Sequence, residues 1–238
     1  GKSNPTFLLS DGCREYVLRK KPHGKLLPSA HAIEREYRIL KTLKHTNVLV
    51  PGTYLLCTDE SVIGTPFYIM ERVKGRIFRN ITIGEIFGRE ERAAIFSSMV
   101  DTLARIHQVD WKALGRADYG TPGNYVVRQI SRWIRQYKAS YTQDIQSMND
   151  LMRWLSENSP EDETTTIAHG DFRLENLVFH PVEPHVTAVL DWELSTLGHP
   201  LADLAYNCMV YYFPAHRKLR PGFKGLDLED LGVPAERE

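Results

Sequence analysis

Two short stretches of this sequence carry most of its chemical information. Residues 169–176 read His-Gly-Asp-Phe-Arg-Leu-Glu-Asn, and residues 189–193 read Val-Leu-Asp-Trp-Glu. Between these stretches, the apolar runs 177–179 and 186–190 are separated by a short turn that contains proline. This pattern predicts two paired antiparallel strands. The chain therefore leaves the first stretch on one strand and returns to the second stretch on its partner.

The predicted hairpin brings three polar side chains together. Asn176 enters the first strand and Asp191 leaves the second, so both lie at the same end, and Asp171 is on the loop just before. Two hard oxygen ligands suit Mg²⁺, which takes one or two protein ligands plus substrate phosphates. A third carboxylate that is off the metal can accept a proton from an attacking hydroxyl. The set meets the requirements of phosphoryl transfer to an alcohol.

The motif resembles the catalytic loop and metal-binding Asp of the aminoglycoside phosphotransferase and choline kinase group, which are relatives of protein kinases. The resemblance implies Asp171 as catalytic base, Asn176 and Asp191 as Mg²⁺ ligands, and Arg173 as a residue that stabilises the charge of the transferred phosphate. Protein kinases usually have Arg where Gly170 stands, which disfavours a protein kinase. A binuclear metal hydrolase would need more His or Asp ligands than we can assemble, and a purely structural polar loop rarely carries this spacing.

The amino-terminal third of the sequence fits a nucleotide site. Side chains alternate along residues 15–20, so Val17 and Arg19 share one face and Lys20 lies on the other. In the kinase pattern that this strand resembles, Arg19 takes the place of the phosphate-binding Lys and Val17 lies over the adenine; Lys20 is the alternative. Helical periodicity turns Glu36 towards the interior, where it can pair with Arg19.

Two further segments are candidate nucleotide contacts. Ser3 and Asn4 precede the first predicted strand, and small polar residues there can offer backbone N–H groups to phosphate. The end of the run 66–73 resembles a kinase hinge. Backbone groups near Glu71 and Val73 would then contact the adenine edge with Met70 beneath it, although a plain strand end is the simpler alternative.

The order of the elements predicts an α+β protein with a protein-kinase-like bilobal fold. Residues 1–74 form a small β-rich lobe, and residues 75–238 form a larger, mostly helical lobe with the catalytic loop and the metal-binding Asp. By comparison with the family, the first strand and the final helices are expected to be missing. The predicted strands cover 6–10, 15–20, 48–57, 66–73, 165–168, 177–179 and 186–190, and the predicted helices cover 29–44, a segment from 89 onward, 125–139 and 147–156.

Composition excludes several functional classes. The chain has 238 residues, of which 42% are apolar and 25% charged, as in ordinary globular proteins. Thirty basic and thirty acidic residues balance, so no global cationic field attracts nucleic acid. Three scattered cysteines indicate a reducing compartment rather than a disulfide framework. No membrane span or signal peptide is evident, and we expect an intracellular location: cytoplasm if bacterial, mitochondrion or peroxisome if animal.

Whole segments are similar to one subgroup, the phosphotransferase-like domain that stands alone in bacteria and is fused ahead of an acyl-CoA dehydrogenase in animal family members ten and eleven. The similar segments are 1–7, 26–31, 61–68 and 190–200. The resemblance implies an ATP- and Mg²⁺-dependent kinase of hydroxy acids or hydroxyacyl-CoA in fatty-acid breakdown, with a fused or associated dehydrogenase as partner. The alternative is an inactive nucleotide-binding module that regulates or scaffolds that dehydrogenase.

Some charged residues stay open to two interpretations. A basic stripe on one helix face could bind a phosphorylated or carboxylate substrate, or it could simply be solvated; its members are Arg128, Arg132, Arg135 and Lys138. His107 is expected to be a structural hydrogen-bonding residue. Asp203 resembles the structural Asp of the family, which caps a helix or braces a loop.

Overall fold

The amino-terminal part of the chain is a four-stranded antiparallel sheet. The computed structural model describes residues 4–22, 33–84, 86, 88–115, 117–162, 164–217 and 221–237. The strands lie in the order β1-β2-β4-β3, and their bounds are β1 Thr6–Ser10, β2 Glu15–Lys20, β3 Thr53–Cys57 and β4 Phe67–Glu71. Asp11 closes the first hairpin, since its Oδ1 accepts the N–H groups of Cys13 and Arg14. Gly12 supplies the left-handed φ of 91° that this turn requires.

One helix, α1 at Ile33–Leu43, packs against this sheet through its buried apolar face. Ile39, Leu40 and Leu43 are buried there, and Glu36 is buried among them. The sequence predicted a helix over 29–44; residues 29–32 of that range are outside the described residues. The face that buries Glu36 is the one that approaches the carboxyl-terminal half of the chain, which makes the residue a candidate site group.

Four of the predicted strands are shorter in the structure, and those predicted at 165–168 and 186–190 differ from the prediction by only one residue each. The run 48–57 was predicted as one strand, but β3 begins only at Thr53. Pro51 has no N–H to give to a sheet, and the N–H of Gly52 bonds instead to the side chain of Glu71 at 2.9 Å. The run 66–73 likewise ends as a strand at Glu71.

The carboxyl-terminal part is mainly helical, with two short antiparallel ribbons. Its helices are α2 Arg89–His107, α3 Tyr125–Ala139, α4 Gln146–Glu157, α5 Pro200–Tyr212 and α6 Leu228–Leu231. One ribbon pairs β5 Thr166–Ala168 with β8 Thr196–Gly198, and the other pairs β6 Leu177–Phe179 with β7 Val186–Val189. No sequence pattern predicted β8, α5 or α6. None of the described helices has the length and apolar character needed to cross a membrane.

The β6–β7 hairpin is fastened to the segment that follows the sheet. Arg76 exchanges both backbone hydrogen bonds with Phe179, each 2.8 Å long. The Arg76 guanidinium also donates to the carbonyls of His180, Val182 and Glu183 in the hairpin turn. A Cβ at Gly75 would lie 2.1 Å from the Phe179 carbonyl oxygen, so only glycine permits this crossing. These contacts fasten the turn end of the hairpin, opposite the end that carries Asn176 and Asp191, to the segment that follows β4.

Candidate active site

The hairpin places Asn176 and Asp191 at one end, as the sequence pattern predicts. Leu177 pairs with Val189, and the N–H of Leu190 donates to the Asn176 carbonyl at 2.8 Å. The Asn176 amide nitrogen donates to the backbone carbonyl of Asp171 at 2.8 Å and to its Oδ2 at 3.0 Å. Because the amide is planar, its oxygen points away from Asp171 and is available as a metal ligand.

Asp191 has an unusual backbone conformation. Its φ and ψ of 62° and 57° lie in the left-handed region, which non-glycine residues seldom adopt. The conformation ends the β7 side of the hairpin and starts a single 3₁₀ turn at Trp192–Leu194. Strained backbone of this kind persists where the surrounding structure fixes it, often at functional sites.

Arg19 lies at the centre of a cluster of carboxylates. Its Nε is 3.1 Å from Glu36 Oε2, and its Nη2 is 2.5 Å from Asp191 Oδ1 and 3.1 Å from Glu193 Oε2. Its side chain is only 8% exposed. The neighbouring Lys20 instead directs its ammonium group over the ring of Phe7. Of the two basic candidates on β2, the structure brings Arg19 to the site.

The cluster carries more negative than positive charge. Three carboxylates face one guanidinium, and burial raises the pKa of Glu36 to about 7. Arg19 opposes that shift, whereas the charges of Asp191 and Glu193 add to it. A divalent cation would relieve this excess charge, and the carboxylate and amide oxygens of Asp191 and Asn176 are the hard ligands that Mg²⁺ prefers. The residues present therefore fit a magnesium site.

Asp171 is partly exposed and holds three contacts. Its Oδ2 accepts from Asn176 and lies 3.4 Å from Arg173 Nε, and its Oδ1 accepts the hydroxyl proton of Tyr206 at 2.7 Å. Arg173 also contacts Glu175 at 2.9 Å. Arg173 and Tyr206 line a cleft of about 1150 Å³ whose other lining residues are largely apolar and include Phe96, Val100, Leu204, Val210 and Phe223.

Asp203 on α5 braces the loop that carries Asp171. Its two oxygens accept the backbone N–H groups of His169 and Gly170, each at 2.8 Å, and Oδ2 lies 3.1 Å from His107 Nε2. Burial opposes ionisation of Asp203, but these hydrogen bonds outweigh it and hold its pKa below the ordinary value. His107 and Asp203 thus have the structural roles that the sequence analysis expected.

His169 connects the two halves of the motif. Its Nε2 lies 2.9 Å from the Leu190 carbonyl, and its Nδ1 accepts the N–H of Asp171 at 3.2 Å. These bonds require the neutral ring with the proton on Nε2. Burial lowers the pKa of His169, which keeps the ring in that neutral form. The position of Asp171 is thereby tied to the residue before Asp191.

The nucleotide candidates are distributed along β2 and β4. Val17 pairs with Met70 across the two strands. The Glu71 N–H bonds to the Gly52 carbonyl at 2.7 Å, so this N–H is already engaged and is not a free donor for an adenine edge. Val73 follows just after β4 ends.

The two candidate phosphate-binding residues near the start of the chain are Ser3 and Asn4. Asn4 is buried, with 3% of its surface exposed. Ser3 lies outside the described residues. Their contact with phosphate stays a prediction.

Two site residues had no assigned role in the sequence analysis. Glu193 was visible, two positions after Asp191, but nothing local indicated that it would reach Arg19. Tyr206 comes from α5, which no local pattern connected to the catalytic loop. The basic stripe of α3 is in part structural: Arg128 donates to the carbonyls of Thr121 and Gly123.

Comparison with known proteins places these features in context. The model of the family described as "Phosphotransferase enzyme family" matches residues 1–237. Mouse acyl-CoA dehydrogenase family member 10 and human member 11 are each 48% identical over the whole chain, which spans only 22% and 30% of their lengths.

Two solved structures illustrate the fold. A Ralstonia eutropha protein described, provisionally, as an aminoglycoside phosphotransferase is 49% identical with a TM-score of 0.89; the match covers all of this chain and 69% of that one. Aminoglycoside phosphotransferase APH(4)-Ia, solved with AMP-PNP and hygromycin B, is 19% identical with a TM-score of 0.62, over 89% of this chain and 69% of that one. The second likeness concerns the fold alone.

Proposed function

The chain belongs to the phosphotransferase enzyme family, and from that premise we propose that it transfers the γ-phosphate of ATP to the hydroxyl group of a hydroxy acid or hydroxyacyl-CoA. The observation that carries the proposal is the joint placement of Asp171, Asn176 and Asp191 beside the Arg19–Glu36 pair. A nucleotide-dependent phosphotransferase needs a base, a metal site and a positioned cation on the phosphates, and this cluster supplies a candidate for each.

In the proposed reaction, Asn176 and Asp191 would hold Mg²⁺, which would neutralise charge on the phosphates. Arg19, positioned by Glu36, pairs with the triphosphate, and Val17 and Met70 contact the adenine. Asp171 accepts the proton of the acceptor hydroxyl while the hydroxyl oxygen bonds to the γ-phosphorus. The bond from the γ-phosphorus to the β–γ bridging oxygen breaks, and ADP leaves. Arg173 stabilises charge on the transferred group.

Two observations favour an acyl-type acceptor. The relatives at 48% identity are acyl-CoA dehydrogenase family members, although this chain spans less than a third of each. The cleft beside Arg173 and Tyr206 is lined mainly by apolar side chains, which suit a hydrocarbon chain better than a polycationic sugar.

The test is a screen of ATP consumption with Mg²⁺ against hydroxy acids, their CoA thioesters, choline, sugars and aminoglycosides, with the mass of each product measured. We expect a hydroxy acid or its CoA thioester to gain one phosphate. Calorimetric ATP binding without any phosphorylated product in the whole screen would favour an inactive nucleotide-binding module and would count against the proposal.

A further inference from the structure

The hydroxyl group of Tyr206 is hydrogen-bonded to one carboxylate oxygen of Asp171, the candidate base. It donates to Asp171 Oδ1 at 2.7 Å from helix α5. The other oxygen, Oδ2, already accepts from Asn176 Nδ2 at 3.0 Å and faces the Arg173 guanidinium at 3.4 Å. Oδ2 thus has two partners and Oδ1 one, so an incoming hydroxyl meets the least competition at Oδ1, beside the phenol of Tyr206.

The hydroxyl group of Tyr206 is chemically similar to the hydroxyl group of a phosphoryl acceptor. A phenol O–H is an alcohol-like donor, and this one lines the same cleft as Arg173. An acceptor hydroxyl that reaches Oδ1 from the cleft has to replace the phenol or share the oxygen with it, since a carboxylate oxygen accepts more than one hydrogen bond. A water molecule has few other contacts in the cleft that would help it to displace the phenol from Asp171 Oδ1.

We propose that Tyr206 selects an alcohol over water as the phosphoryl acceptor, by covering Asp171 Oδ1 until a substrate hydroxyl takes its place. The inference rests on the proposed kinase function and adds a specificity residue to it. The reaction that Tyr206 suppresses is hydrolysis of ATP. There, a water oxygen bonds to the γ-phosphorus, the bond from the γ-phosphorus to the β–γ bridging oxygen breaks, the water proton goes to Asp171, and ADP and phosphate leave.

Removing only the hydroxyl tests this role. In Tyr206→Phe the ring keeps its packing, and the space of one hydroxyl opens beside Oδ1. We expect phosphate release from Mg·ATP without acceptor to rise about tenfold, because water then reaches the base. The matched control is Tyr212→Phe on the same helix, whose hydroxyl bonds to the exposed Glu236 at 2.9 Å and which should hydrolyse ATP at the wild-type rate.

A second readout needs neither metal nor nucleotide. A crystal structure of Tyr206→Phe should hold an ordered water within hydrogen-bond distance of Asp171 Oδ1, where the wild type holds the phenol. Unchanged or lower hydrolysis in the variant, an Oδ1 without water, or failure of the variant to fold would overturn the proposal. The acceptor screen with the wild type separates the two ideas. Without any phosphorylated product the kinase function itself fails, whereas a phosphorylated product with unchanged hydrolysis in the variant removes only the role of Tyr206.

Discussion

Arg19 and its carboxylates set the electrostatics of the site. A guanidinium this deeply buried needs counter-charge, and Glu36, Asp191 and Glu193 supply more than it can neutralise. The surplus destabilises the empty protein and favours a bound cation. Asp171 is not among the carboxylates that contact Arg19. Substitutions can therefore distinguish the catalytic base from the metal site.

We expect Asp171→Ala and Asp191→Ala to fail in different ways. Loss of a general base lowers kcat by about 10²- to 10⁴-fold. Because Asp171 is not a proposed metal ligand, the Kd for Mg·ATP should stay near the wild-type value in that variant. Asp191→Ala should weaken Mg·ATP binding itself. Calorimetry and turnover on both variants check the assignment, and a large loss of ATP binding in Asp171→Ala would refute it.

The raised pKa of Glu36 predicts a pH-dependent stability. Burial raises its pKa from the ordinary 4.5 to about 7 in the folded chain, so the folded state binds this proton more tightly. The resulting stabilisation is complete below pH 4.5 and is lost as pH rises through 7. It amounts to on the order of 3 kcal/mol for a group this buried.

Glu36→Gln removes that ionisation while leaving Arg19 its two other carboxylates. The free energy of unfolding in urea should therefore fall less between pH 5 and pH 8 in the variant than in the wild type. Phosphoryl transfer should fall at the same time, because Arg19 loses its positioning partner. Parallel stability curves for the two proteins would contradict the prediction.

The catalytic loop is held by close contacts from neighbouring elements. Gly170 has a φ of 83°, and a Cβ there would lie 2.8 Å from the Leu194 carbonyl oxygen. The loop carrying Asp171 and the turn after Asp191 are thus so close that a Cβ at Gly170 would meet both the backbone and the Cβ of Leu194. Helix α5 adds the Asp203 hydrogen bonds from the other direction.

Gly170→Ala separates steric contact from backbone strain when it is compared with Gly12→Ala. Gly12 has a similar φ of 91° but open space where its Cβ would be. Gly12→Ala should cost about 1 kcal/mol of stability from the left-handed backbone alone. Gly170→Ala should cost an additional 1–3 kcal/mol or so from overpacking and should lower kcat. Equal losses in chemical denaturation would mean that the close contact is unimportant.

Asp203→Asn should loosen the loop. The amide nitrogen of Asn would face a backbone N–H of His169 or Gly170, which leaves a buried donor unsatisfied at a cost of about 1–3 kcal/mol. Because the folded pKa of Asp203 is depressed, the wild-type advantage should be present above pH 4 and should shrink as pH falls through the folded pKa. Asp150→Asn, an exposed carboxylate on α4, is the control and should change stability little. A pH-independent difference for Asp203→Asn would argue against the assigned role.

Local sequence patterns predicted the parts of the molecule that neighbouring residues determine. The β6–β7 hairpin brings Asn176 and Asp191 together through its own register, and alternation along β2 and periodicity along α1 put Arg19 and Glu36 face to face. Each of these contacts follows from the periodicity of strands or helices that are neighbours along the sequence.

Contacts between distant elements could not be predicted in that way. Tyr206 reaches Asp171 only because α5 packs beside the catalytic loop, and Glu193 reaches Arg19 only after the sheet docks on the hairpin. The three-residue strand β8 is too short to carry a period, and its partner β5 lies about thirty residues earlier along the chain.

We expect one magnesium–nucleotide site to join the sheet to the β6–β7 hairpin. A crystal structure of the chain with Mg²⁺ and AMP-PNP tests it directly. We predict one ion bound by Asn176 Oδ1 and an Asp191 carboxylate oxygen at about 2.1 Å, with the Arg19 guanidinium on the phosphates and Asp171 facing the γ-phosphate without touching the metal. A nucleotide bound elsewhere, or an ion that contacts neither Asn176 nor Asp191, would contradict the account.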